Sequence, residues 1–308
     1  MGKIIYGTLM HQRGFRAVLI ATLFGISLAG SACHKSSTRE TGSIRVVDDA
    51  GDTIRLRRPA GRVVSLIPAT TELLFAIGAG SSVVGRTRYC DYPAAAKAVA
   101  DLGDGIKPSI EAVLARNPDL VILYNSGQNA AVAGRFRELG IPALMVNTDA
   151  LSDVARVARM LGTLTGRRDG ADSMVAVFDT ALAGATRPAH GRRPRILLLV
   201  WEQPPMTIGR GSFLHELVER AGGQNLFDDV AASSGVVSIE AVAARNPDLI
   251  FTAADGPAAF ATRPEWQIVP AIRNHRFLRV SGSQFNQPSP RAPSAIRELT
   301  AHMQAVLR

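Results

Sequence analysis

The sequence predicts an α/β protein built from two similar lobes joined by helix. Three features carry that expectation: a segment written twice, strand–helix alternation in both halves, and a strand-free helical stretch between them. Ser109-Ile-Glu-Ala-Val-Leu-Ala-Arg-Asn-Pro-Asp-Leu-Val121 returns as Ser238-Ile-Glu-Ala-Val-Ala-Ala-Arg-Asn-Pro-Asp-Leu-Ile250, identical at eleven of thirteen positions and offset by 129 residues. A solenoid repeats every 20–50 residues or so, and one recurrence at this distance implies two related lobes instead.

Each element follows from local chemistry. Ser43–Leu56 reads as a hairpin turning at Ala50-Gly51. Arg62-Val-Val-Ser-Leu-Ile67 is a strand, and Thr70–Ile77 a helix stopped by Gly78. In each copy of the repeat the serine caps a short helix that Asn-Pro ends, because a residue before proline is pushed out of the helical region. The apolar runs Leu120–Tyr124 and Leu249–Thr252 that follow suit parallel strands covered on both faces. Residues 129–139 are a helix before the strand Ala143–Val146. Leu151, Val154, Val157, Ala158, Leu161 and Leu164 recur at helical spacing, and a second helix follows Gly166-Arg-Arg-Asp-Gly170. Arg195–Val200 is then a strand, Phe213–Ala221 a helix, and Ile296, Leu299, Met303 and Val306 mark a terminal helix. The predicted organisation is a lobe over 43–150, connecting helices over 151–190 and a second lobe over 191–308, with little hinge motion across a helical joint.

The 308 residues carry a net charge of +9, which falls to +6 for a chain beginning at Cys33. No Lys/Arg run interleaved with aromatics accompanies that excess, so nucleic acid is not an indicated partner. Two cysteines cannot supply a disulfide framework or a four-thiolate zinc site. Lys3, Arg13 and Arg16 precede the fourteen-residue uncharged run Ala17–Gly30 and the small residues Ser31 and Ala32. That run is too short to span a bilayer and has the form of an export signal over 1–32. Gly30-Ser-Ala-Cys33 resembles the lipobox of bacterial lipoproteins, with Gly30 where an aliphatic residue is usual, and it also suits plain cleavage after Ala32. Cys33 is thus the candidate lipidation site, residues 33–42 a tether, and a Cys33–Cys90 disulfide the competing reading.

Arg62–Leu73, Tyr89-Cys-Asp-Tyr-Pro93, the paired Ser-Ile-Glu…Asn-Pro-Asp-Leu segments and Ser289-Pro-Arg291 together resemble periplasmic substrate-binding proteins for cobalamin and ferric siderophores. The resemblance covers about residues 43–308 and is nearest the cobalamin-binding branch. It implies two Rossmann-like lobes joined by a long α-helix, no catalytic activity and no resident cofactor or metal. It further implies a monomer, periplasmic or tethered through Cys33, that takes cobalamin or a related corrinoid to an ABC importer in the inner membrane. In that family one glutamate per lobe docks on the permease dimer, and Glu111 and Glu240 hold those positions. Two equivalent carboxylates also suit a two-fold partner.

Ligands of α/β sheets sit at the carboxyl ends of strands. That rule singles out Ala69 and Thr70, Tyr89, Tyr124, Trp201 and Glu202, and the loop bearing Phe285 and Asn286. Tyr89 and Tyr124 fall where the cobalamin binders place aromatics against the corrin. This chain lacks their tryptophan before each docking glutamate, having Gly105–Pro108 and Ser233–Val236 there, and Ser283 and Gln287 replace their charged final-loop residues. Competing ligands are a ferric siderophore, with Arg86, Arg88 and Arg210 as anion partners, and haem, with Tyr124 as axial ligand. A direct metal site is disfavoured by six scattered histidines. A hydrolase lacks a Gly-x-Ser-x-Gly elbow, and Cys90 lacks a nearby histidine. A sensing module that docks a membrane receptor would look the same at this level.

Overall fold

Strands β1 (Ile44–Val47) and β2 (Thr53–Leu56) form an antiparallel hairpin, held at its turn by Asp48, whose carboxylate accepts the Ala50 and Asp52 amides. This is a computed structural model, describing residues 43–187, 191–252 and 259–308. The expected signal segment, the tether and Cys33 lie outside the described residues.

The first lobe then runs β3 (Val63–Ser65), α1 (Pro68–Ala76), β4 (Val83–Arg86), α2 (Ile110–Leu114), β5 (Leu120–Tyr124), α3 (Gly127–Glu138) and β6 (Ala143–Val146). Its sheet has the order β4-β3-β5-β6, parallel throughout. Two helices follow, α4 (Leu151–Thr165) and α5 (Arg168–Ala185), packed on each other across Gly166, which sits at φ 69° where glycine is favoured.

The second lobe contains β7 (Arg195–Glu202), β8 (Pro205–Ile208), α6 (Phe213–Arg220), β9 (Gln224–Asn225), β10 (Ser234–Val236), α7 (Ile239–Arg245), β11 (Leu249–Thr252), α8 (Pro270–Arg273), β12 (Phe277–Arg279) and α9 (Ala292–Leu307). Its sheet runs β10-β8-β7-β11-β12, with β9 also on β7. The strands expected from sequence are parallel here too, but β8 and β10 add an antiparallel flap. That flap corrects one expectation: Trp201 and Glu202 do not follow a strand but belong to it. Pairing of Trp201 with Met206 and Glu202 with Pro205 lengthens β7 beyond Val200.

Alternation along the strands shows how the sheets are buried. Val63, Leu120, Ile122, Leu144 and Val146 face one apolar cluster, while Val64, Val121, Leu123, Ala143 and Met145 face another. In the second lobe Ile196, Leu198, Leu249, Phe251 and Leu278 join that same first cluster, and Leu197, Leu199, Ile250 and Phe277 face a third. A two-residue period sorts each strand between two cores. The first cluster also contains the buried stripe of α4, with Val175 and Phe178 of α5 and Ile296 and Leu299 of α9. One core therefore passes from lobe to lobe through the helical pair, and residues 43–308 fall within a single compact unit.

Candidate functional site

Each copy of the repeat builds the same local device. Ser109 and Ser238 accept the amides of Ala112 and Ala241 at 3.2 and 3.1 Å, capping α2 and α7. Val113 and Val242 are wholly buried. Asn246 caps α7 and Asn117 follows the turn after α2, both at φ 46°, a left-handed conformation that asparagine tolerates better than most residues. The carboxylate of Asp119 then accepts the amides of Gly61 and Arg62, and that of Asp248 accepts the amide of Arg195, tying the neighbouring strand to the turn. Arg62 and Arg195 donate in return to the carbonyls of Asn117 and Asn246, both at 2.9 Å.

Against this background the two glutamates stand apart. Glu111 and Glu240 occupy the first turns of α2 and α7 and are exposed. Glu111 accepts only the Ser109 hydroxyl, at 3.1 Å, and Glu240 makes no side-chain hydrogen bond among the described residues. α2 leads into β5 and α7 into β11, so the two carboxylates hold equivalent places in the two lobes.

Between the lobes is an open cavity of about 570 Å³. Tyr124, Thr148 and Asp149 of the first lobe form one wall. Facing them are Val200, Ile208, the start of α6 at Ser212 and Phe213, and the loop residues Phe285 and Asn286. The lone charged side chain among the described lining residues is Asp149, which accepts the Tyr124 phenol at 2.8 Å. Desolvation, reinforced by Asp149 and the nearby Asp153, pushes the Tyr124 pKa up to about 12. Tyr124 is therefore a fixed hydrogen-bond donor at neutral pH.

The cavity brings together Tyr124, Phe285 and Asn286 of the residues expected from sequence, and leaves others elsewhere. Ala69 and Thr70 are buried in the first lobe, where the Thr70 hydroxyl is engaged by Ser65 and the Ile67 carbonyl. They lie on the inward side of α1, which corrects their expected place in the cleft. Glu202 is half-buried and paired with Arg263 at 3.1 Å. Tyr89 and Trp201 are 57% and 62% exposed, and neither lines the cavity. Trp201 donates its indole N–H to the Gln203 carbonyl. Arg86 is turned inward onto the carbonyls of Thr87, Ala96 and Lys97 and is spent on the fold, whereas Arg88 and Arg210 are exposed. Cys90 is a buried thiol beside the hydroxyls of Thr71 and Thr87.

Thr148, Asp149, Ser212 and Phe213 were not singled out from the sequence. Asp149 follows the carboxyl end of β6, so the strand-end rule applied to every strand would have reached it. The start of α6 enters the cavity only because the two lobes face each other, which no local pattern reports.

Comparison with known proteins agrees with this architecture. Residues 63–281 match the family model described as periplasmic binding protein. The vitamin B12-binding protein of Vibrio parahaemolyticus is 28% identical over 254 residues, covering 81% of this chain and 92% of that protein. An uncharacterized ABC transporter substrate-binding lipoprotein of Bacillus subtilis is 27% identical over 299 residues, covering 92% of this chain and 94% of its own. The apo periplasmic haem-binding protein from Roseiflexus sp. RS-1 shares the fold, with a TM-score of 0.72 at 24% identity, covering 81% of this chain and all of that one. With a family match across both lobes and the fold it requires, the chain belongs to the periplasmic binding protein family, a family of binding proteins and not of enzymes.

Proposed function

We propose that the protein captures cobalamin or a related corrinoid between its lobes and carries it to the permease dimer of an ABC importer. The observation that carries this reading is the character of the cavity: aromatic and hydroxyl groups, one carboxylate, and no cation among the described lining residues. Haem propionates and carboxylate siderophores call for converging arginines or lysines. A corrin rim of neutral amides calls instead for hydroxyls, amides and a carboxylate, such as Ser212, Ser233, Asn286 and Asp149 supply. Axial ligation of haem iron by Tyr124 would require a phenolate, which the Asp149 hydrogen bond and desolvation oppose. A vitamin B12-binding protein among the relatives supports the same ligand class. Glu111 and Glu240, the exposed acidic pair at equivalent positions of the repeat, are the docking contacts. Paired with basic residues of a permease, they would set orientation and rate of encounter more than affinity. Cys33 is the proposed lipid attachment site, which would keep the protein at the membrane it serves.

Absorbance titration of the purified chain with cyanocobalamin, cobinamide, haem and a ferric siderophore tests the ligand. Saturable binding of a corrinoid is expected. Binding of haem or siderophore alone would overturn the assignment. Glu111→Ala combined with Glu240→Ala should leave corrinoid affinity unchanged and abolish uptake in cells, and a drop in affinity would remove the docking role.

A further inference from the structure

A side-chain network spans the seam beside the cavity. Glu72 on α1 of the first lobe is almost wholly buried, with 2% of its side chain exposed. Its carboxylate accepts both Nε and Nη2 of Arg291, which stands at the N-terminal end of α9 in the second lobe. It also accepts Nε2 of Gln287 at 3.0 Å. Arg291 continues outward: Nη1 donates to the Gln284 side chain and Nη2 to the Ser283 hydroxyl, each at 2.8 Å. Its guanidinium lies 4.1 Å from the centre of the Tyr92 ring, back in the first lobe. Ser283 closes the circuit by donating to Asp91 at 2.9 Å.

We infer that Arg291 is the positioning residue of the capture site, pinning the loop 283–287 across the seam to Glu72, Asp91 and Tyr92. The argument is geometric. Phe285 and Asn286, which line the cavity, lie inside the pinned segment, between Ser283 and Gln287. Besides these links, short turns hold the segment, Phe285 N–H to Gly282 and Asn286 N–H to Ser283, and the buried Phe285 side chain anchors it in the shared core. It begins at Gly282, where φ is +108° and an added Cβ would fall on the Gln284 amide. A guanidinium suits the task because its planar fork satisfies both oxygens of a buried carboxylate and leaves donors and a face for two further partners. Lysine has neither the fork nor the face. The inference rests on the inter-lobe cavity as the capture site and not on which ligand fills it.

Hydrogen–deuterium exchange of the ligand-free full chain tests it. In Arg291→Lys, amides of residues 283–286 and 90–91 should exchange about tenfold faster, with strands β5 and β11 unchanged. A pin would give that local pattern, whereas a merely structural residue would accelerate both sheets together. Ser283→Ala keeps the Glu72–Arg291 pair and removes the Asp91 link together with the Arg291 Nη2 contact to the hydroxyl. It should give the same pattern at smaller amplitude, and it decides the matter if Arg291→Lys does not fold. Unchanged exchange in both segments, or uniform acceleration, would overturn the inference. Because no ligand is present, failure of the corrinoid assignment would leave this result standing, and the reverse.

Discussion

Asn117 and Asn246 show how closely the two lobes are matched at the scale of single residues. Both stand in the left-handed region after a helix and hand the chain to a proline and a clamping aspartate. Replacing Asn246 with alanine should cost roughly 1–2 kcal/mol in urea denaturation, whereas glycine there should cost far less. Buried charge sets a steeper scale. Glu72→Ala would leave the guanidinium of Arg291 without its main partner, and a loss of about 3–5 kcal/mol is expected. Tyr124 offers a spectroscopic check. Its phenol is held protonated chiefly by desolvation and then by Asp149, so the stability it lends is complete below its unfolded pKa and is lost as pH rises through about 12. Asp149→Asn should bring the tyrosinate absorbance transition of this residue to lower pH. A transition unmoved by that change would separate the two groups.

Elements were legible where burial follows a simple period. The runs Leu120–Tyr124 and Ala143–Val146 are apolar because both faces of each strand are covered, and the stripe of α4 from Leu151 to Leu164 has helical spacing because one face meets the shared core. The flap of β8 and β10 was not legible. Pro205-Met-Thr-Ile208 has no clean alternation, and its strand character comes from pairing with β7. That same pairing moved Trp201 and Glu202 from an expected loop into a strand. Thr70 was misplaced for another reason: the sequence locates α1 at a strand end but does not report which of its faces turns toward Ser65. The paired positions of Glu111 and Glu240 were visible from the repeat itself, whereas Asp149 and Ser212 share a wall only once the lobes meet. Leu161 on α4 is fully buried in the core common to both lobes. Leu161→Ala should therefore lower stability by about 2–5 kcal/mol, and hydrogen exchange should show both sheets loosening together. Loosening of one sheet alone would show that the lobes fold independently.

For the whole molecule, the joint between lobes is where electrostatics and packing combine. Glu216 of α6 reaches the Leu151 amide at the start of α4, and burial raises its pKa against the opposing pull of that amide, Arg220 and His215. The sign follows: the folded state holds this proton more tightly than the unfolded chain, so ionisation costs stability as pH climbs past the ordinary glutamate value. Glu216→Gln should raise the midpoint of thermal unfolding at neutral pH by about 1–3 °C and lose that advantage in acid, as melts across the acid-to-neutral range would show. The apolar core that runs without a break from one sheet to the other, with Glu72 and Arg291 braced across it, has a consequence for delivery. On the proposed carrier role, so continuous a core would leave little spring to recoil on arrival. The work of prying cargo loose would then fall to the ATP-driven machine proposed to receive it.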